Sequence, residues 1–239
     1  MLKPMKETGG FTLVELIVAM AVTLGLMVAV YAAVNSAQRH TSAIERKVAV
    51  QQDIKPVLDI MAMEIAMASY NPTFSDNLWV NPTGSCLAAA SIQTYRGIQE
   101  ATADSIVVEM DIGGFGSDGD GMLGDPNEVI RYNYDTANLM ITRETNCGGG
   151  QPFLGDTAAS GNPRTTRVIN NTLGIPVFRY YDSVGTEIAA TSLPALISNI
   201  RRIEIVLAVE TEDIDPNTGQ RRRLTYSTSV IPRNHAIAQ

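Results

Sequence analysis

The hydrophobic pattern divides the chain into three stretches. Residues 11–34 contain Glu15 as their only charged side chain, and about 20 apolar residues are enough for a helix that spans a membrane. Over residues 35–70 the apolar positions recur every three or four residues, which predicts an amphipathic helix. From residue 71 onwards, short runs of alternating polar and apolar residues lie between turn residues, and this pattern predicts β-strands.

The amphipathic stretch has an apolar stripe and a helix breaker. The stripe consists of Ile44, Val48, Ile54, Leu58, Met61, Ile65 and Ala68. Pro56 lies inside it, and a proline in a helix interior removes a backbone hydrogen bond and kinks or breaks the helix. We therefore expect a long helix with a bend or break near Lys55.

The remainder of the chain predicts an antiparallel sheet. Strands are expected at 105–111, 128–134, 138–143, 176–182, 203–210 and 224–230. The last two flank the turn sequence DIDPNTGQ, which predicts a hairpin. The expected fold class is α+β, with a long N-terminal helix packed on a C-terminal antiparallel β-sheet head that covers residues 71–239.

Charge and motifs exclude several functions. The chain of 239 residues has 18 Lys and Arg against 25 Asp and Glu, whereas nucleic-acid-binding domains are usually strongly basic. The arginines at 201–202 and 221–223 lie next to acidic residues, which favours a solvated hairpin. No nucleophile-elbow, zinc-peptidase, phosphate-loop or dinucleotide-binding motif occurs. The sequence predicts neither an enzyme nor a nucleic-acid partner.

The acid at the start of the apolar stretch requires an explanation. A carboxylate at the centre of a bilayer costs about 2.5–3.5 kcal/mol, so Glu15 is expected to have a partner. Small residues, Gly9 and Gly10, stand before the apolar run and not after it, unlike a secretory signal peptide. Cleavage after Gly10 would make Phe11 a free amine about one helical turn from Glu15. That amine, in the same or a neighbouring copy, is a suitable partner.

The sequence Gly10-Phe11-Thr12-Leu13-Val14-Glu15, after a short basic leader and before an apolar run, resembles the type IV prepilin signature. The resemblance implies that residues 1–10 are a leader peptide, which prepilin peptidase removes by cutting between Gly10 and Phe11. It also implies N-methylation of Phe11 and a role for Glu15 in setting the register of subunits in a filament. Glu7 departs from a purely basic leader. The alternative is an ordinary membrane anchor with the same letters.

A second resemblance concerns a subfamily. Residues 39–72 resemble the PilW-type minor pilins, relatives of the J-type pseudopilins of type II secretion, at Gln51, Gln52, Leu58, Met61, Glu64, Ile65, Ala68, Tyr70 and Pro72. This resemblance implies a single-pass inner-membrane protein with a periplasmic head that later enters a pilus filament or tip. The implied partners are other minor and major pilins and the inner-membrane assembly platform. The alternatives are a minor pseudopilin and a membrane-anchored periplasmic binding module.

One acidic loop suggests a metal. Residues 116–128 read GSDGDGMLGDPNE, a partial match to calcium loops of the EF type, which place acids at alternate positions followed by Gly and a distant Glu. The candidate calcium ligands are Asp118, Asp120, Asp125 and Glu128. The alternative is an acidic, glycine-rich connection between two strands.

The chain has two cysteines, Cys86 and Cys147. If the head faces the periplasm, as the resemblance implies, an oxidising compartment favours a disulfide between them. In the loop-entropy account, closing a loop of about 60 residues stabilises the head by up to ~4 kcal/mol. Two unrelated thiols are the alternative.

Overall fold

The computed structural model describes residues 10–79, 93–113, 119–155, 166–215 and 218–236. The chain divides into two compact units, Met1–Glu45 and Arg46–Gln239. Below, the second unit is called the head.

The helix α1 covers Leu13–Ala66. Its apolar side chains in residues 13–34 are all exposed, whereas one stripe within the head is buried and contains Val50, Ile54, Val57, Leu58, Met61 and Ile65. The predicted stripe is therefore confirmed from Ile54 onwards. It is wrong at Ile44 and Val48, which are 62% and 41% exposed and lie off the stripe that contains Val50 and Ile54.

Of the bend or break predicted near Lys55, the break is wrong, because α1 runs without interruption through Pro56. Proline lacks the N–H that would bond one turn back, at a cost of about 3 kcal/mol. The side chains around it, Ile54, Val57 and Leu58, are buried in the core. Each fully buried apolar side chain contributes about 1.5–3 kcal/mol, so their packing offsets the lost hydrogen bond.

The first sheet is an antiparallel meander. Its strands pair in chain order and are β1 (Ile98–Ala101), β2 (Ser105–Glu109), β3 (Val129–Asp135), β4 (Met140–Thr145) and β5 (Gln151–Leu154). The predicted strands at 105–111, 128–134 and 138–143 correspond to β2, β3 and β4. Neither β1 nor β5 was predicted, since four residues are too few for a clear alternation.

The second sheet has β8 at its centre. Its elements are β6 (Thr166–Val168), β7 (Phe178–Tyr181), β8 (Arg202–Ile214) and β9 (Arg221–Val230), all antiparallel to β8. Two one-turn helices, α2 (Asn170–Leu173) and α3 (Leu193–Leu196), lie in its connections. The predicted hairpin is confirmed as β8 and β9. The expectation of a single sheet is wrong, because the strands form two.

A single core joins the head's part of α1 to both sheets. Met61 and Ile65 of the helix share it with Ile106 and Tyr132 of the first sheet and with Ile205 of the second. Alternate residues of β8 point into this core, as their period-two pattern predicts. The predicted α+β architecture, a long N-terminal helix packed on antiparallel strands, is confirmed.

Candidate functional site

The predicted cleavage site lies outside the helix. Gly10, Phe11 and Thr12 precede the first helical residue and are exposed, and the Phe11 side chain is 90% exposed. An accessible peptide outside a helix is a form in which a peptidase can bind its substrate. Cleavage between Gly10 and Phe11 remains a prediction.

Thr12 and Glu15 cap the start of α1. The Glu15 N–H donates to the Thr12 hydroxyl oxygen at 3.3 Å, and the Thr12 N–H donates to Glu15 Oε2 at 2.9 Å. The Thr12 hydroxyl also donates to Glu15 Oε2 at 2.9 Å. This reciprocal pattern is a capping box. The spacing Thr-x-x-Glu before an apolar run is a sequence signal of a capping box. The prediction for Glu15 nevertheless named only an amine as its partner.

Past this cap, α1 presents an apolar surface on every side. Residues 16–38 contain no Asp, Glu, Lys or Arg, and the Thr23 hydroxyl donates to the Ala19 carbonyl at 2.7 Å. By length and composition, α1 is suited to cross a membrane, and its most apolar stretch buries nothing within the chain. A helix that is hydrophobic all round requires lipid or other helices around it.

A buried ion pair fixes α1 to the first sheet. Arg143 on β4 donates to both carboxylate oxygens of Glu64, at 3.1 and 2.7 Å. The Tyr132 hydroxyl donates to the same carboxylate, and Asn127 accepts a further hydrogen bond from Arg143 at 3.1 Å. Burial and the bond to Glu64 raise the pKa of Tyr132, so the phenol remains a donor. Every charged group of this cluster therefore has a partner.

The chain beyond α1 is held by a histidine near the C-terminus. His235 is fully buried, with Nδ1 2.9 Å from the Ser69 hydroxyl and Nε2 2.9 Å from the Ile197 carbonyl oxygen. The carbonyl accepts, so Nε2 carries the proton and Nδ1 accepts from Ser69. Burial lowers the pKa of His235 to about 4. The ring is therefore neutral at pH 7, and nothing in the sequence pattern indicated this contact.

The acidic loop is organised around Glu128. Its Oε1 accepts the N–H groups of Ile112 and Gly113, at 3.3 and 3.2 Å, and its Oε2 accepts those of Gly124 and Asp125, both at 2.7 Å. Four donors engage both oxygens, so in this geometry Glu128 holds the loop together.

The other predicted metal ligands are not gathered around Glu128. Asp118 lies outside the described residues, and Asp120 is exposed and accepts the Met122 N–H at 2.9 Å. In the described ranges, no three Asp, Glu, His or Cys side chains form a group that suits a metal ion. The four-residue calcium set remains a prediction.

Of the two cysteines in the predicted disulfide, the structure describes only Cys147. Cys147 is disulfide-bonded and packs beside Val107 and Val129, on a small apolar cluster apart from the main core. Cys86 lies outside the described residues, so its pairing with Cys147 remains a prediction.

The arginines of the last hairpin pair with acids. Arg221 lies 3.9 Å from carboxylate oxygens of both Glu210 and Glu212, and Arg223 lies 3.6 Å from Glu210. Arg167 on β6 makes two bonds of 2.6 Å to Glu212. This arrangement is a ladder of ion pairs across three strands.

Comparisons with known proteins bear mainly on the first 31 residues. The prokaryotic N-terminal methylation motif matches residues 5–31, so this chain carries that motif. A solved structure, a type IV-like pilin from Thermus thermophilus, is similar at 11% identity and a TM-score of 0.39. The similarity covers 78% of this chain and 98% of that one. No curated protein matches the chain.

Proposed function

We propose that the chain is a type IV prepilin-like subunit, a minor pilin of the PilW type. Prepilin peptidase cuts it after Gly10 and methylates the new amine of Phe11. Residues 11–34 then anchor it in the inner membrane with the head in the periplasm. From there it joins other minor and major pilins, on the assembly platform of the inner membrane, to prime or cap a filament.

The observation that carries this proposal is the position of the methylation motif on the helix. The motif, over residues 5–31, ends within the exposed apolar stretch of α1. Its cleavage residues are exposed and non-helical, and its acid stands in the first helical turn. Each of the three steps, cutting, anchoring and helix packing, thus has its residues in the order that the process requires.

Glu15 has an oxygen to offer to a neighbour. Its Oε2 accepts both donors of Thr12, and among the described residues no hydrogen bond to its Oε1 occurs. After cleavage, the amine of Phe11 in a neighbouring copy is a cation of the right charge for this oxygen. An acid in the first helical turn is also favoured by the helix dipole. The proposed role of the chain is therefore structural, through helix packing and one charged contact.

Processing is tested by intact-mass spectrometry of the chain purified from membranes that contain an active prepilin peptidase. The native chain is expected to lose residues 1–10 and gain one methyl group. Gly10→Val is expected to retain all ten residues, while Gly9→Ala serves as the control and is processed normally. A native chain that keeps its leader under these conditions contradicts the proposal.

Assembly is tested by two substitutions that separate the cap from the charge. Glu15→Gln keeps a capping-box acceptor and removes the charge, so cleavage continues and filament number falls. Thr12→Ala removes the cap partner and keeps the charge, so assembly continues. Normal filament number with Glu15→Gln contradicts the pairing. Proteins that copurify with the native chain distinguish a pilus from a type II secretion apparatus.

A further inference from the structure

The inner end of the acidic loop contains a buried carboxylate that lacks a full set of partners. Asp111 lies two residues after the end of β2 and is fully buried. Its Oδ2 accepts the Gly121 N–H at 2.9 Å, whereas its Oδ1 is buried and has no hydrogen-bond partner among the described residues. An uncompensated buried charge is costly, so such groups are normally paired, protonated or bound to a metal.

The carboxylate is aimed at the turn of residues 119–121. A Cβ on Gly119 would lie 2.1 Å from Asp111 Oδ1, so only glycine allows this approach. Gly121 has a positive φ of 83°, and a Cβ there would lie 2.4 Å from the Ser75 hydroxyl. The two glycines of the Gly-Asp-Gly turn thus bring backbone next to Asp111 on one side and next to Ser75 on the other.

Neutral oxygens surround the same place. The Thr73 hydroxyl oxygen lies 3.5 Å from Asp111 Oδ2, 2.8 Å from the Ser75 hydroxyl and 3.3 Å from Asn71 Oδ1. These three residues belong to the segment that follows α1. Carboxylate, hydroxyl and amide oxygens are the ligands that hard cations such as Ca²⁺ accept.

The local charge is entirely negative. Residues 109–128 contain six Asp and Glu and no Lys or Arg. Arg143, which contacts Asn127 at the end of this segment, is already engaged by Glu64. Among the described residues, no ion pair to Asp111 occurs.

We propose that Asp111 and Asp120, with the hydroxyl oxygens of Thr73 and Ser75, bind one calcium ion between the segment 71–75 and the turn 119–121. Backbone carbonyls and water complete the six to eight oxygens that Ca²⁺ takes. Only two carboxylates take part, which agrees with the absence of any group of three acidic side chains among the described residues. The site differs from the sequence prediction, because it includes Asp111 and, of the four predicted ligands, only Asp120. It does not rest on the proposed function.

The single tryptophan is a built-in probe of this site. Trp79 packs with Leu78 and with Leu123, a residue of the acidic loop. Terbium(III) takes the place of calcium in oxygen sites and emits when a nearby tryptophan transfers excitation to it. Binding can thus be followed in the full-length chain, purified in detergent and treated with a chelator.

The test has two readouts, terbium emission and thermal unfolding in calcium or magnesium. For the native chain we expect emission that calcium competes away. We also expect a Tm rise of about 5 °C or more at one hundred times Kd, with a smaller effect of magnesium. Asp111→Asn keeps an acceptor for Gly121 and is expected to abolish both signals, and Asp120→Asn to weaken calcium binding about tenfold.

The matched control is Asp135→Asn. Asp135 is a half-buried acid that accepts N–H bonds in the β3–β4 turn, and its replacement is expected to leave both signals unchanged. A native chain without either signal overturns the proposal, as does a folded Asp111→Asn chain that keeps them. If circular dichroism shows that Asp111→Asn does not fold, Asp120→Asn decides, and unchanged affinity in it overturns the site.

Discussion

Two parts of the same helix differ in the exposure of their apolar side chains. In residues 13–34 of α1, apolar side chains face outwards on every side, whereas between Val50 and Ile65 one stripe is buried and the exposed side mixes polar residues with Ile60 and Met63. The two parts differ in the surroundings that they require. Residues 13–34 require lipid or other apolar helices, whereas the stripe between Val50 and Ile65 packs against the two sheets of the head.

Polar contacts sharpen this contrast. Past the cap, residues 16–38 have no charged side chain at all, whereas the second part of α1 places Glu64 in a buried cluster with Arg143 and Tyr132. Tight contacts of this kind specify one docked position of a helix. An apolar surface without them leaves the choice of neighbours open.

The largest effect is expected from breaking the buried cluster. Glu64→Ala leaves the Arg143 guanidinium without its carboxylate, and removal of one member of a buried pair costs about 3–5 kcal/mol. Urea unfolding, followed by Trp79 fluorescence, measures the loss. Arg223→Ala removes an exposed arginine from Glu210, beside which Arg221 remains. This variant is the control and should cost about 0–1 kcal/mol. Equal losses in the two variants contradict the special position of Glu64.

A methionine in each part of α1 gives a direct comparison. Met61 is fully buried and Met20 is 58% exposed. Met61→Ala leaves a cavity and should lower the free energy of unfolding of the head by about 2–5 kcal/mol. Met20→Ala should change it by less than about 0.5 kcal/mol. A comparable loss with Met20→Ala, in the same detergent and urea series, shows that residues 13–34 contribute to the head's stability.

The head, and not the apolar stretch, should respond to pH. Burial lowers the pKa of His235 to about 4 and raises that of Glu109 to about 8. The folded head excludes a proton from His235, so this contribution is complete above pH 6.5 and is lost as the pH falls towards 4. Glu109 stays protonated in the fold, so its contribution is complete below pH 4.5 and is lost as the pH rises to about 8.

The two slopes oppose each other, and each is at most about 1.4 kcal/mol per pH unit. Glu109→Gln should flatten the decline between pH 6.5 and 8, and His235→Gln the decline below pH 4.5. Urea midpoints measured from pH 4 to pH 8 separate the two groups. A profile that neither substitution changes assigns the pH dependence to other residues.

Elements with a repeating hydrophobic pattern could be predicted from the sequence, whereas contacts between residues far apart in the chain could not. The alternation of Ile203, Ile205 and Leu207 marks β8 because each second residue faces the core. The three or four residues of β1, β5 and β6 are too short for such a pattern. Glu64 and Arg143 are 79 positions apart, and no local pattern joins them. The Thr12–Glu15 cap depends on spacing alone, so the sequence contains its signal, although the cap was not predicted.

The sequence pattern did not suggest Asp111, which the proposed calcium site uses, for a similar reason. The pattern for calcium loops uses fixed spacing, and Asp111 lies seven residues before Asp118. Only the folded loop brings Gly119 and Gly121 back onto it. Conversely, Glu128 has the right residue type near the expected place, but backbone donors use both of its oxygens.

The arginines of the last hairpin lie on an edge strand, and this position affects association between copies of the chain. In the described part of the chain, β9 pairs with β8 alone, so its other edge can accept a strand from another molecule. Edge strands that carry charge resist such pairing, and β9 begins with three arginines, of which Arg222 is exposed. Copies held side by side in a membrane meet at high local concentration. If copies of this chain meet in that way, as proposed, these arginines would resist association through their sheet edges.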